Sequence, residues 1–360
     1  VTGKVPVRKK GDGRLPVPGW IKDYEWTGAV PYTEMPHMLN PKKGYLITAN
    51  NKIVTDDYPH FLGAVWMNGY RAKRLEYLIQ NQKKVSIDAC RQMQTDVFCI
   101  PGKKLSNMYA DLMANKQLRK KMPKATKLLA NWDGQLGVKS VGGTLYHVVR
   151  YAIIRLLFEP LGSTLIQSLI GVGFHPVLNA ANDYKGHDTV TMLRILNNPS
   201  SWWLKKAGGK EKVLQKAIEN ALKWLKTHLG PDPDDWEWGK IHHAILPHSM
   251  AVKKPLDQVF NVGPYPIGGD ADTPWQTSDC YGDFPNTEVV SASFRFVVDV
   301  GNWDNSRAVL PPGQSGRVAS KHYKNQMDLW LSGGLRPMLW DKKQVMLYAK
   351  KRLWLKPTKK

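Results

Sequence analysis

Apolar residues recur at intervals of three and four positions through the middle of the chain, which is the spacing of an amphipathic helix. The clearest pattern covers residues 210–229, where apolar side chains fall on one face and Gly230-Pro231 ends the pattern. Ser86 is suited to cap a further helix at its amino end. Similar spacing predicts helices at residues 71–82, 105–122, 145–158 and 342–354. We interpret these helices as packing elements.

Strand-like patterns occupy the two ends of the chain. Residues 44–49 form a short apolar run with β-branched side chains, and they lead directly to Asn50. Residues 289–300 alternate between apolar and polar positions, and residues 308–310 are a suitable hairpin partner for them. The sequence therefore predicts strands on both sides of a helical block.

This order of elements predicts an α+β fold in which a helical lobe is inserted into a sheet layer. We expect residues 1–102 to form one part of the sheet-bearing region and residues 103–240 to form the helical insertion. Residues 241–360 then return to the sheet-bearing region, first as strands and finally as a helix. No internal repeat interrupts this division.

Composition and charge narrow the class of protein. The 360 residues are 42% hydrophobic and 23% charged, which is typical of a globular chain. The formal net charge is +22, but the lysines are spread along the chain, with local runs at residues 116–127 and 350–360. No RNP, zinc-finger or basic-zipper pattern accompanies them, so a basic solvated surface is favoured and no nucleic-acid partner is expected.

Two further features bear on membranes and redox chemistry. The longest apolar-rich stretch, residues 160–184, is interrupted by glycines and by Pro176, which suits a core helix and loop and predicts no membrane span. The cysteines Cys90, Cys99 and Cys280 lack CxxC spacing. Cys90 and Cys99 are either buried thiols or one disulfide, and both alternatives stay open.

Several short motifs invite a chemical interpretation but fit a structural one better. His242, His243 and His248 lie close together, yet they match no zinc-binding spacing. Ser315 lies between glycines without the GxSxG spacing of a nucleophile elbow. The glycine pair at residues 208–209 lacks the remaining elements of a P-loop and is typical of a tight turn before a helix.

Residues 40–71 contain the most informative polar side chains. The predicted strand ends at Asn50-Asn51, Tyr58-Pro59 follows, and Arg71 opens the next helix. Taken by themselves, Asn50 is typical of a turn at a strand end and Arg71 is typical of an exposed position at a helix start.

Other segments must be considered together with this one, in their order along the chain. They are Leu15-Pro16-Val17-Pro18-Gly19-Trp20, Tyr24-Glu25-Trp26-Thr27-Gly28, Gln94-Thr95-Asp96, Trp132-Asp133-Gly134, Gly263-Pro264-Tyr265-Pro266-Ile267-Gly268-Gly269-Asp270, Gly313-Gln314-Ser315-Gly316 and His322-Tyr323-Lys324-Asn325-Gln326. With residues 40–75, this ordered set resembles the penicillin acylase family of N-terminal-nucleophile hydrolases over nearly the whole chain.

The resemblance implies a four-layer αββα sandwich and acyl transfer from an amide. In that family the larger chain begins with a serine whose own α-amino group acts as general base. The resemblance assigns to Asn50 the side-chain amide that stabilises the oxyanion, and to Arg71 the arginine that orients the site. A cation near the α-amino group would lower the pKa of that amine and keep it a free base near neutral pH.

The same resemblance implies partners and a location. The substrate would be a linear amide, of the penicillin or acyl-homoserine-lactone type. Because the matching region places Val1 well inside the larger chain, we expect a C-terminal portion of a longer precursor, inactive alone, whose partners are the upstream part and a small α subunit. The resemblance also implies a periplasmic or secreted protein. The alternative is a non-catalytic basic binding module that keeps the fold.

Two positions depart from the family pattern. Calcium-binding members carry an aspartate shortly after the Tyr-Pro pair, whereas this chain has His60-Phe61-Leu62, so the segment does not supply the expected carboxylate. The cofactor therefore stays unknown. Thr2 would be an alternative nucleophile only after removal of Val1, which its position within the resemblance disfavours.

Overall fold

The computed structural model describes residues 3–175, 179–182, 186–279 and 289–357. Helices and small antiparallel sheets share the chain, with the longest helices in its middle. The α-helices are α1 (Tyr70–Gln80), α2 (Ile87–Gln94), α3 (Ile100–Ala114), α4 (Lys116–Lys121), α5 (Thr126–Ala130), α6 (Val141–Phe158), α7 (Gly162–Leu169), α8 (Asp188–Leu196), α9 (Trp202–Lys206), α10 (Lys210–Leu229), α11 (Leu256–Phe260), α12 (Met327–Leu331) and α13 (Lys342–Tyr348).

The strands are short and pair mainly as hairpins. They are β1 (Pro6–Arg8), β2 (Trp26–Ala29), β3 (Val172–His175), β4 (Asn179–Ala181), β5 (His243–Leu246), β6 (Val262–Pro266), β7 (Thr277–Asp279), β8 (Val289–Ser291), β9 (Arg295–Val297), β10 (Arg307–Val309) and β11 (Arg336–Pro337). Consecutive strands β1–β2, β3–β4, β5–β6 and β7–β8 pair two by two, and β9, β10 and β11 form a three-stranded sheet.

The larger hydrophobic core lies among helices α3, α5, α6, α8 and α10. Helix α10 turns its whole predicted apolar face into this core, and all seven side chains are buried: Val213, Leu214, Ala217, Ile218, Ala221, Leu222 and Leu225. The hydroxyl of Tyr109 on α3 donates to the carbonyl of Leu214 at 2.8 Å, which ties the two helices together inside the core. Gly209 and Gly230 flank α10 as caps with positive φ, so its predicted bounds are confirmed.

A second core lies under strands β5, β6 and β10 and helix α12. Its buried members are Ala244, Val262, Ile267, Val309, Tyr323, Met327 and Trp330. Between the two cores runs the turn at Gly268-Gly269-Asp270. Gly269 has φ +80°, and a Cβ there would lie 2.3 Å from the carbonyl oxygen of Trp275, so only glycine fits this close approach.

Several local predictions are confirmed. The Ser86 hydroxyl accepts from the backbone N–H of Ala89 at 3.1 Å, as an N-cap does. Strand β10 pairs with β9 in antiparallel register, with Ala308 opposite Phe296. Cys90 and Cys99 are both free thiols, which decides between the two alternatives, while Cys280 lies outside the described residues.

Other predictions of element bounds are wrong. Residues 44–49 form no strand, because their segment docks through side chains: the Tyr45 hydroxyl donates to Glu76 at 3.1 Å and accepts from Gln80 at 2.8 Å, both on α1. The run from residue 289 divides into β8 and β9, which join different sheets. The helix at 105–122 is two helices, since Asn115 caps the second one. The final helix stops at Tyr348.

The motifs with structural interpretations have structural contacts. His242 is fully buried, and its ring nitrogens lie 2.8 and 2.9 Å from the carbonyl oxygens of Ile267 and Thr277. His248 accepts from the backbone N–H of Met250 at 3.1 Å. Ser315 accepts from the backbone N–H of Arg317 at 3.1 Å, within a turn. Within the described ranges, no helix combines the length and apolarity that crossing a bilayer requires.

Candidate active site

Asn50 stands at the base of a surface loop in an unusual backbone conformation. Its φ is +60°, a left-handed conformation that asparagine adopts more readily than most residues. Its carbonyl oxygen accepts from the N–H of Met67 at 2.8 Å, which closes the intervening loop on itself. Asn51 turns its side chain back and accepts from the N–H of Ala49 at 3.0 Å. The Asn50 side chain is left exposed to solvent.

Arg71 reaches this side chain from the first turn of α1. Its Nη2 donates to Oδ1 of Asn50 at 2.9 Å, so the two residues that the resemblance assigned to one site are in contact. The bond occupies the acceptor end of the amide and directs Nδ2 away from the guanidinium. In the ranges that the structure describes, no group accepts a hydrogen bond from Nδ2 of Asn50.

The electrostatics of the site are set by burial and by two carboxylates. Burial lowers the pKa of the Arg71 guanidinium, while the carboxylates of Asp272 and Asp270 act to raise it. The guanidinium stays protonated, because arginine is a strong enough base to remain charged at all ordinary pH values. Burial and the charge of Asp272 raise the pKa of the neighbouring Tyr70 to about 12.

Asp270 is the centre of a buried polar cluster. Its side chain is 1% exposed, and Oδ2 lies 3.2 Å from Nε2 of His147 and accepts from the Cys99 thiol at 3.3 Å. Burial alone would raise the pKa of Asp270, but the hydrogen bond and charge of His147 hold that pKa below its ordinary value. His147 in turn stacks on Trp238, with ring centroids 4.2 Å apart.

Asp272 lies between this cluster and the Asn50 loop. It is 3% exposed, its backbone N–H donates to Oδ1 of Asp270 at 2.8 Å, and its own Oδ1 accepts from Asn68 at 3.1 Å. Burial, followed by the charge of Asp270, raises the pKa of Asp272 to about 7. The arrangement places a titratable carboxyl in the interior, facing the arginine that holds Asn50.

Neither carboxylate was identified as a site residue from the sequence. Asp270 was noted only as the last residue of a matching segment, and Asp272 was passed over. A usable signal was present, since these are the two acidic residues between Asp257 and Asp279, in a stretch otherwise rich in glycine, proline and aromatic residues. Acidic side chains in such a stretch are buried less often than apolar ones, and when buried they mark paired or functional groups.

The segment after Tyr58 does not fit a calcium ion. Nε2 of His60 lies 2.6 Å from the Glu34 carboxylate, and the Tyr58 hydroxyl donates to the Glu34 carbonyl at 2.7 Å. Calcium requires six or more oxygen ligands, and His60-Phe61-Leu62 offers no side-chain carboxylate. No step proposed below passes through a metal.

Comparison with known proteins decides the family. A model of the penicillin amidase family matches residues 1–346. The chain belongs to the penicillin amidase family. It is 30% identical over 347 residues to the penicillin acylase 2 proenzyme of Pseudomonas sp. (strain SE83), a match that covers 95% of this chain and 42% of the relative. It is 28% identical to an acyl-homoserine lactone acylase of Pseudomonas aeruginosa, covering 100% of this chain and 45% of that protein.

Comparison with a solved structure shows the fold of this chain. The penicillin G acylase of Alcaligenes faecalis superimposes with a TM-score of 0.62 at 18% identity, covering 99% of this chain and 65% of the other. The predicted α+β fold of N-terminal-nucleophile hydrolases is therefore confirmed. The chain spans less than half the length of the two curated relatives above.

Proposed function

We propose that this chain supplies the oxyanion-stabilising part of an amidohydrolase that cleaves a linear carboxylic amide. The observation that carries the proposal is the bond from Arg71 Nη2 to Asn50 Oδ1, which leaves the N–H groups of the exposed Asn50 amide without an acceptor among the described residues. An exposed amide fixed in this way is a preorganised donor for a developing negative charge. The family membership supplies the reaction type.

The proposed reaction proceeds through an acyl-enzyme on an N-terminal serine carried upstream in the same precursor. The serine Oγ attacks the amide carbonyl carbon, and its proton passes to the free α-amino group of that serine. The carbonyl oxygen becomes an oxyanion, to which Asn50 Nδ2 donates. The C–N bond then breaks as the proton passes to the leaving amine, and water releases the acid by the same steps in reverse order.

Arg71 acts in this scheme through position and charge. Its hydrogen bond fixes which end of the Asn50 amide faces the substrate. Its positive charge, close to the reacting groups, opposes protonation of the proposed α-amino base and so lowers the pKa of that amine. The first effect stabilises the oxyanion, and the second keeps the α-amino group a free base that can activate the serine near neutral pH.

The names of the relatives indicate the substrate class. One is a penicillin acylase and others are acyl-homoserine lactone acylases. The amides that these names indicate are linear carboxylic amides, in which the scissile C–N bond lies outside any ring, and we propose a substrate of that kind. The proposed partners are the upstream part of the large chain and a small α subunit.

The function is tested by expressing a complete precursor that carries this chain. Amine release is measured with penicillin G and with short- and long-chain N-acyl-homoserine lactones, and the acyl-enzyme is sought by intact mass. We expect release of amine and a mass increase equal to the acyl group on the serine-bearing chain. A precursor that cleaves no amide but binds anionic polymers with a steep salt dependence would instead support the basic binding module.

Replacing Arg71 with alanine is expected to lower kcat by about 10- to 100-fold, because hydrogen bonds to charged groups contribute about 1.5–3 kcal/mol. The measurement is steady-state amide hydrolysis from pH 6 to 9. Arg74→Ala is a matched control on the same helix, since Arg74 binds Asp96 through two bonds of 2.9 and 2.8 Å away from Asn50. Equal losses in both variants would show that general destabilisation of α1, and not the contact with Asn50, is responsible.

A further inference from the structure

The Asn50 loop, residues 50–67, is anchored to the protein interior where it ends, beside the buried Asn68. Met67 closes the loop on the Asn50 carbonyl, and the next residue, Asn68, is 8% exposed. The Asn68 amide donates to Oδ1 of Asp272 at 3.1 Å, across 204 residues of sequence. Three residues further along, Arg71 holds the Asn50 side chain. Asp272 therefore contacts the buried end of the Asn50 loop through Asn68.

We propose that Asp272 is a positioning residue for Asn50. Through Asn68 it fixes the base of the Asn50 loop, and its negative charge attracts the guanidinium of Arg71 that orients the Asn50 amide. The inference rests on the proposed function of Asn50 in oxyanion stabilisation. It assigns a role to a buried carboxylate that the reaction steps above do not use.

The surroundings of Asp272 are poorly explained by packing alone. Its Oδ2 is buried and makes no hydrogen bond to any described residue. A buried carboxylate with one free oxygen is costly, and a well-packed apolar residue at such a position is often neutral or stabilising. The presence of the Asp272 carboxylate in place of an apolar residue therefore supports a role for it in holding Arg71 and Asn68.

The turn that carries Asp272 is fixed by several hydrogen bonds. Its backbone N–H is held by Asp270, whose other oxygen meets Cys99 at the start of α3 and His147 in the middle of α6. Thr273 also binds the turn, accepting from the N–H of Asp270 at 2.8 Å. A positioning residue needs such support, because small displacements of a donor at an active site are costly.

The charge of Asp272 also responds to pH in the physiological range. Its pKa is raised to about 7, by burial first and then by Asp270. Among the described residues, the titratable and charged groups whose charges interact with it are Asp270, Asp188, Arg150, Arg71, Tyr70, Cys99 and Tyr146. Protonation would remove the charge that attracts Arg71, so turnover should rise with pH through this range.

The experiment compares Asp272→Asn and Asp272→Ala in the complete precursor. Asparagine keeps an oxygen that can accept from Asn68 but removes the charge, whereas alanine removes both. For Asp272→Ala we expect kcat to fall about 10²-fold, the cost of a displacement of about 1 Å, with KM within about twofold of the wild type. Asp272→Asn should keep more of the activity and lose the part of the rise of kcat between pH 6 and 8 that follows Asp272, while the part due to the proposed α-amino base remains.

Asp96→Asn is the control, because Asp96 is a partly buried carboxylate that pairs with Arg74 on α1, and no described contact joins it to Asn50 or Asp272. We expect it to keep the wild-type pH profile. Loss of activity in Asn50→Ala but not in either Asp272 variant would overturn the proposal and leave the proposed function standing.

A crystal structure of the Asp272 variants supplies a test that needs no activity. We expect the contact of 2.9 Å between Arg71 Nη2 and Asn50 Oδ1 to lengthen or break in Asp272→Ala. If that variant does not fold, Asp272→Asn serves for the same measurement, with displacement of the guanidinium as the expected result. An unchanged contact would overturn the proposal, even for a wild-type protein that cleaves no amide.

Discussion

Replacing Asn50 with alanine is expected to lower kcat for amide hydrolysis by about 10²- to 10³-fold, the effect of removing one oxyanion donor. The side chain is exposed, and among the described residues it is hydrogen-bonded to Arg71 alone, so the variant should fold and mature. KM should change little, because the amide acts on charge that develops only in the transition state. The measurement is steady-state kinetics together with thermal unfolding of both proteins.

Two further variants separate lost chemistry from backbone strain. Asn50→Gly also removes the amide but relieves the left-handed conformation, so it should lose as much turnover as Asn50→Ala. Asn40→Ala is the matched control, since Asn40 has φ +46° and lies outside the proposed site. Wild-type turnover in Asn50→Gly would remove Asn50 from the oxyanion site.

The turn-forming interpretation of Asn50 is compatible with its proposed role in the site. It is a turn-forming asparagine, with positive φ and a loop closed on its carbonyl, as local sequence suggests. The same left-handed turn exposes the side chain to Arg71, 21 residues further along the chain. Local pattern could predict the turn, while the contact with Arg71 was expected only from the family resemblance.

Periodicity predicted helices well where one face is buried along its whole length. In α10 every third or fourth side chain is apolar and packs against the same core, so pattern and packing agree. Residues 44–49 show the opposite case. Their β-branched composition suits a strand, but a strand requires a partner, and side-chain bonds from Tyr45 to α1 fix this segment instead.

The buried cluster behind the site could not be predicted from local pattern. Asp270 meets Cys99 and His147 across 171 and 123 residues. His147 occupies a helical position that looks like an ordinary core position, because its neighbours on α6 are apolar and buried. The pairing of an acid with a histidine in that core depends on how α6 and the turn at residue 270 fold together, which spacing does not report.

The Asp270 to His147 contact leads to the second large effect. Asp270→Ala is expected to lower the free energy of unfolding by about 3–5 kcal/mol, the usual cost of removing one partner of a buried pair. The variant removes the carboxylate that bonds the Cys99 thiol, the His147 ring and the backbone N–H of Asp272. Urea unfolding followed by tryptophan fluorescence measures the loss, since Trp238 stacks directly on His147.

Asp235→Ala is the matched control, because Asp235 also pairs with a basic side chain, Lys240 at 2.7 Å, but at an exposed site. Its expected cost is about 0–1 kcal/mol, since water screens such pairs. The pH dependence follows from the lowered pKa of Asp270. The pKa of Asp270 in the folded protein lies below its value in the unfolded chain. The stabilisation that the ionised carboxylate provides is therefore present above about pH 4 and is lost as the pH falls through the folded pKa. The wild type and Asp270→Ala should therefore differ most at neutral pH and converge in acid. A constant difference down to the acid limit would show that packing, and not the ionised carboxylate, holds the turn at residue 270 against α3 and α6.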